Sequence, residues 1–367
     1  MLAALASRRP TFIDREPIEM NQPATLVASA ADAKLDERKA LDLLIRGFQV
    51  SRMLRALADL GLADKISPAE KAPVSDLAQA CSVRPAPLLR ILRALAAFGV
   101  FTVSADGSIG HTERSLLLRT DVPNSLHYSA RFWTGPGSWR AWDQLHVALQ
   151  GQSPHEAAWQ MSRFAYLKQH PEEARVFDDM MANFPDDRHS AIAAAYNFSD
   201  AKLIADIGGG NGAALRAILA REPNVRGLVF DRPDVVANLS PAQLLDGRIT
   251  AEGGDFLARV PNGADIYLLI RVLHDWDDVN CSQILKQCRA AMGASATLIL
   301  GEELLEPDPG RGHPTAYLID THMMTMFGQA RARSEDDFRS LLADSGFTLS
   351  RIINTSSAVS MVEAKPI

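Results

Sequence analysis

The sequence is short of cysteine. Its three residues, Cys81, Cys281 and Cys288, cannot build a disulfide framework and lack zinc-site spacing, so a reducing compartment is expected. A long apolar run is also missing, since nothing approaches the roughly 18 residues of a membrane helix. The start, Met1 to Pro17, sets a short apolar piece ahead of its arginines. A secretory signal wants the charge first and a longer apolar stretch. The expectation is therefore a cytoplasmic protein with no membrane partner. Excess basic charge is absent as well. Lys plus Arg number 38 against 44 Asp plus Glu, for a net charge of −6, which leaves no electrostatic footprint for a nucleic-acid partner. His313 and His322 stand apart with no carboxylate motif between them, so no metal site is expected. What is present is ordinary globular composition: 367 residues, 47% hydrophobic and 22% charged, with 23 Gly and 20 Pro. Such a chain has room for two domains or slightly more, each with its own core.

Residues 1–36 carry Pro10, Pro17 and Pro23 without sustained periodicity and read as a flexible arm. Beyond them Leu41, Leu43, Leu44, Phe48, Met53, Leu54, Leu57 and Leu60 recur at helical intervals, with Gly61 as terminator. They occupy more than one face, as in a helix buried on two sides, and a partner subunit could supply the second surface. A short helix over 76–80, a second from Pro85 or Pro87 to Phe98, and a hairpin of 100–103 with 108–111 complete a winged helix over 37–120. DNA binding is the usual use of that shape. Here the second helix offers only Arg90 and Arg93 as cations, too few polar groups to read bases and phosphates. Packing or dimerisation is the better reading. Residues 121–200 are helical in pattern and form a linker with a tryptophan cluster (Trp133, Trp139, Trp142, Trp159) and the pair Met180–Met181. These side chains are either simple core or the wall of a pocket for a flat apolar ligand.

From 201 to 367 the pattern is α/β. Runs rich in β-formers at 203–207, 227–231, 249–252, 266–270 and 297–301 alternate with amphipathic helices, clearest over 212–221 and 280–292. That alternation means a Rossmann-like, doubly wound parallel sheet. A helix over 334–345 and strands near 348–353 and 358–363 add an antiparallel edge.

The sharpest local signal is Asp206-Ile-Gly-Gly-Gly-Asn-Gly212, a strand, a glycine turn and a helix. Glycines such as Gly208 and Gly210 let a ligand approach the main chain at a helix N-terminus. Asp231 follows about twenty residues later, where a ribose-binding carboxylate belongs. Charge then selects the cofactor. Asp206, Asp231 and Asp255 follow or end three successive strands, and a charge pair about 4 Å apart is worth on the order of 4 kcal/mol at an effective dielectric of about 20. Three acids repel a pyrophosphate and suit an ammonium and a sulfonium, the charges of S-adenosylmethionine.

Asp206 to Gly212, Phe230-Asp-Arg-Pro233, Gly253-Gly-Asp-Phe256 and Leu273-His-Asp-Trp-Asp-Asp278, in that order after a winged helix, resemble the class I small-molecule O-methyltransferases. The nearer group includes plant caffeate and flavonoid enzymes, acetylserotonin methyltransferase and bacterial natural-product methyltransferases. The resemblance covers about residues 40–365. It implies a homodimer interlocked through the N-terminal domains, a small-molecule acceptor, and cofactor contacts from Gly208, Asp231, Asp255 and Phe256. It also implies that His274 is the general base, in keeping with an imidazole whose ordinary pKa of about 6.5 suits proton removal at neutral pH. Glu302 would orient the ring, with Glu303 as the competing choice, and Asp275 would contact the acceptor. Met181, Met323 and Trp276 would wall the acceptor pocket. Two departures stand out. Ala332 occupies the place of a second glutamate, and Ile270 that of a cofactor-contacting lysine, with Arg271 beside it. The loss of that glutamate leaves methylation of carbon or nitrogen as an alternative on the same fold. A winged-helix regulator that senses the cofactor is a separate alternative.

Overall fold

The computed structural model describes residues 36–183 and 187–367, so the expected arm falls almost entirely outside the described residues. The first helical run is not one helix. Arg46 leaves helical geometry (φ −87°, ψ 1°) ahead of Gly47, which separates Glu37–Ile45 from Gly47–Asp59. The first of these buries nothing, and Leu41, Leu44, Ile45 and Phe48 are all more than half exposed. Helices Val74–Ala80 and Pro85–Ala96 follow, with Pro85 in the first turn, where its missing N–H has no helical partner to lose. Strands Phe101–Val103 and Ser108–His111 pair antiparallel, and the short strand Ala72–Pro73 joins them. Leu57, Leu62, Ile66, Leu88, Leu92, Leu95, Phe101 and Ile109 fill the core beneath this winged helix.

Helices His127–Phe132, Pro136–Trp142, Pro154–Trp159, Arg163–Gln169, Pro171–Ala182 and Arg188–Ala195 carry the chain onward. Three of them begin with proline, which pre-sets the helical φ.

The C-terminal layer is a seven-stranded sheet: β1 (Leu203–Ile207), β2 (Arg226–Asp231), β3 (Ile249–Gly253), β4 (Ile266–Ile270), β5 (Thr297–Glu302), β6 (Phe347–Asn354) and β7 (Ser360–Pro366). Their spatial order is β3-β2-β1-β4-β5-β7-β6. The first five are parallel, and β7 runs antiparallel to both β5 and β6. β5 is buried along its whole length, as a central strand covered on both faces should be. One face packs Ile207, Tyr267, Leu269, Ile284, Leu285 and Leu342, and the other Ile204, Leu215, Ile218, Leu268 and Ile299. The strand order reverses between β1 and β4. In such sheets ligands sit outside the carboxyl ends of the strands at this point.

Candidate active site

At the end of β1 the chain turns through Gly208 (φ +72°), Gly210 (φ +54°) and Gly212 (φ +75°) into helix Ala213–Arg221. A Cβ on Gly208 would lie 2.8 Å from Val272 Cγ2, and one on Gly209 2.7 Å from the Asp206 carboxylate. Glycine is therefore required by conformation and by space. Asp206 lies under this turn, 2% exposed, with its Oδ1 unpartnered among the described residues. Burial, helped by the charge of Asp231, pushes its pKa up to about 7. An orphaned carboxylate oxygen beside a glycine turn suits a cation placed there. Asp231 accepts the Gly210 N–H at 2.8 Å and the Arg232 N–H at 2.7 Å, so it braces the turn it faces.

A cleft of about 450 Å³ opens over these strand ends. Gly208, Asp231, Phe256, Arg271, Asp275 and Trp276 line it on the sheet side, and Phe164 and Phe327 on the helical side. Phe256 meets Trp276 edge-on at 5.7 Å, and Phe164 lies 5.7 Å from Phe327. The orphaned acid, the glycine approach and the aromatic walls fit S-adenosylmethionine. Asp206, Gly210, Asp255, His274, Glu302, Met181 and Met323 are not part of this lining. Asp255 is exposed and turns its Oδ1 back onto the Leu257 N–H at 2.9 Å. Met181 is 46% exposed, whereas its neighbour Met180 is buried against Phe132 and Val176. Met323 lies on helix Pro314–Phe327, whose end residue Phe327 reaches the cleft instead.

Arg271, just after β4, takes the left-handed conformation (φ +57°), and its N–H donates to Gly301 O at 2.8 Å. A non-glycine residue held there stores backbone strain. The chain then enters a short 3₁₀ turn, Leu273–Asp275. Glu302, the last residue of β5 and 2% exposed, organises this turn. Its Oε1 accepts the N–H groups of Val272 and Leu273 at 3.1 and 2.9 Å, and its Oε2 lies 3.1 Å from His274 Nδ1. Burial works against the Glu302 carboxylate, but His274, Arg271 (3.9 Å away) and the Leu273 N–H together hold its pKa below the ordinary value. Of Glu302 and Glu303 it is Glu302 that meets His274, and Glu303 follows the end of the strand. Asp275 Oδ1 lies 3.2 Å from His274 Nε2. Burial raises the Asp275 pKa against the pull of His274 and Arg271. His274 thus stands between two carboxylates, Glu302 at Nδ1 and Asp275 at Nε2.

One residue of this site was not singled out from sequence. Arg333 is 1% exposed and spans the turn that carries His274. Its guanidinium donates to Leu273 O at 2.8 Å, to Trp276 O at 2.9 Å and to Asp278 Oδ1 at 2.7 Å. The only local signal was the Arg331-Ala332-Arg333 stretch, where Ala332 stands in the place of a second glutamate.

The model of the O-methyltransferase domain matches residues 139–348, and that of the O-methyltransferase dimerisation domain matches 43–121. A phenazine O-methyltransferase of Lysobacter antibioticus is 39% identical over 88% of this chain and 95% of its own length. An O-demethylpuromycin-O-methyltransferase of Streptomyces alboniger is 36% identical over 91% of each. A phenazine-1-carboxylate N-methyltransferase of Pseudomonas aeruginosa is 31% identical over 91% of this chain and 98% of its own. Among solved structures, CalO1, a methyltransferase of calicheamicin biosynthesis in its SAH-bound form, aligns with a TM-score of 0.77. It is 27% identical and covers 91% of this chain and all of that one.

Proposed function

This chain belongs to the O-methyltransferase family and is an S-adenosylmethionine-dependent methyltransferase of natural-product type, and from that premise we propose that it methylates a hydroxyl of an aromatic or polyketide-like small molecule, with His274 as general base. The single observation that carries this reading is the Glu302–His274 pair at 3.1 Å, on the turn whose residues Val272 and Asp275 line the cleft. When bound, S-adenosylmethionine supplies an electrophilic methyl on a sulfonium. The chain's own residues do the rest. Asp206, Asp231 and Gly208 hold the cofactor against the strand ends, Phe256 and Trp276 exclude water beside it, and Arg271 lines the same wall. Glu302 keeps a proton on Nδ1 of His274 and stabilises the imidazolium that forms, as in a carboxylate–histidine pair generally. Nε2 is left to take the acceptor's proton as the oxygen attacks in line. For this the acceptor hydroxyl must displace Asp275, which then becomes its second contact.

The resemblance of the N-terminal region to a dimerisation domain, together with the exposed Leu41, Leu44, Ile45 and Phe48, supports a homodimer. No described helix is long and apolar enough to cross a membrane. A second reading, methyl transfer to nitrogen, is favoured by the 31% identical N-methyltransferase and by Ala332 in place of a second glutamate. An acceptor screen with methyl-labelled S-adenosylmethionine, read by NMR of the product, separates the two. An O-methyl carbon signal is expected. An N-methyl or C-methyl product would replace the reading.

A further inference from the structure

Phe164 stands where the two walls of the cleft touch. It is the second residue of helix Arg163–Gln169, whose Arg163, Tyr166 and Leu167 are buried. Residues three and four apart share one helical face, so these three anchor the helix. Phe164, about 100° round the axis from Arg163, points off to one side of that face. Its ring is 45% exposed, and it lines the cleft together with Phe327 and Arg232.

Arg232 belongs to the opposite wall. It directly follows β2, and its N–H donates to the Asp231 carboxylate at 2.7 Å. Its backbone is therefore fixed at the end of the cleft assigned to the cofactor. The side chain reaches outward and is 53% exposed. Its guanidinium lies 5.5 Å from the centre of the Phe164 ring, and one of its nitrogens lies 3.2 Å from Asp234 Oδ2. A cation over an aromatic face is held by the ring's quadrupole, but weakly where water reaches both groups. Exposed side chains change rotamer within nanoseconds, so such a contact opens and closes readily. Phe327, on the other flank of the ring at 5.7 Å, is fixed. It ends helix Pro314–Phe327, and two residues on Gln329 Nε2 donates to Gly151 O at 2.9 Å. The Phe164 ring thus hangs from an anchored helix, rests on a fixed neighbour and is tied to the other wall by one weak contact.

We propose that Phe164 is a gate over the cofactor's end of the cleft and that Arg232 is its latch, with S-adenosylmethionine entering and S-adenosylhomocysteine leaving when the contact between them opens. This goes beyond the reading of the cleft as a methyl-transfer site and rests on its placement of the cofactor beside Asp231. Only the ring and the guanidinium move, because the buried face of the helix holds its backbone. A latch that closes alike in the free and the loaded protein slows entry and release together. A side chain that merely touches the bound ligand slows release alone.

The test is stopped-flow mixing of the full chain with S-adenosylhomocysteine, followed by tryptophan fluorescence, since Trp276 lines the cleft. Phe164→Leu removes the quadrupole but keeps an apolar side chain, and Arg232→Ala removes the cation. Each is expected to raise the association and dissociation rate constants alike by about two- to fivefold, the scale of an exposed cation–π contact. Kd should stay within about twofold of the wild type, which also shows that the fold and the cofactor site are intact. The double variant is expected to gain no more than either single one, as for two residues acting through one contact. Phe164→Tyr keeps the ring and is expected to keep the wild-type rates. A rise in dissociation alone would make Phe164 a wall of the site and overturn the gate. Unchanged rates in both single variants, or fully additive effects in the double, would overturn it as well. These rates are read without methyl transfer, so a protein gated in this way that methylates no hydroxyl fails the parent reading alone. Conversely, methylation of a hydroxyl with rates that these variants do not move fails this one alone.

Discussion

Glu302 and His274 are joined at 3.1 Å through Oε2 and Nδ1, while the other oxygen of Glu302 ties down the backbone on which His274 rides. One carboxylate therefore sets both the tautomer of the ring and the position of its turn. Glu302→Gln should lower kcat by about 10²-fold or more, within the usual range for acid–base catalysis, with S-adenosylhomocysteine affinity unchanged. Because the two residues act as a unit, Glu302→Gln in a His274→Ala background should cost little further. Fully additive losses in steady-state kinetics would show that they act separately.

If Asp206 holds the cofactor as proposed, binding depends on pH. Its pKa is raised to about 7 in the folded protein, above its ordinary value of 3.8. Its contribution to stability is therefore fully present below about pH 4 and is lost as pH rises toward 7. A cation needs the ionised form, so affinity for S-adenosylhomocysteine should rise by up to about tenfold per pH unit below 7 and level off above it. Calorimetry from pH 5.5 to 8.5 checks this, and Asp206→Asn should flatten the profile. A flat profile in the wild type would contradict the assignment.

Arg333 locks the catalytic turn. Arg333→Met removes the donors to Leu273 O and Trp276 O, and a buried acceptor left unsatisfied costs about 1–3 kcal/mol. The variant should unfold at lower urea and lose kcat more than KM, because His274 loses its placement. Arg333→Lys should recover part of both. Full activity in Arg333→Met would remove the residue from the account.

Gly208→Ala places a methyl 2.8 Å from Val272 Cγ2 on a backbone with φ +72°. The strain is of order 1–3 kcal/mol. Affinity for S-adenosylhomocysteine should fall about tenfold or more, and Val272→Ala should restore only part of it, since the φ penalty remains. Unchanged affinity would show that the turn is not the cofactor's approach.

The elements that were legible in the sequence are those encoded locally. The glycine turn after β1 shows as consecutive glycines because each needs space or positive φ, and His274 shows because it comes a few residues after the β-rich run Ile266–Ile270. Residues whose role depends on distant packing left little trace. Arg333 reads as a surface arginine until the fold brings it across 60 residues to Leu273. Arg163 reads the same way until the fold leaves it 4% exposed. The interruption at Arg46 was hidden because apolar spacing continues through Gly47, and Asp255 matched its motif although its carboxylate caps the following turn. Periodicity and motif spacing report what the chain does within a few residues, and burial of a charge is decided by what packs on it from elsewhere.

The central claim is that His274 removes the acceptor's proton. The most direct measurement is single-turnover methyl transfer to a hydroxyl acceptor from the screen, in the wild type and in His274→Ala, with S-adenosylhomocysteine affinity measured alongside. The account predicts a rate lower by about 10²–10⁴-fold with affinity unchanged. A loss of only a few-fold would contradict it.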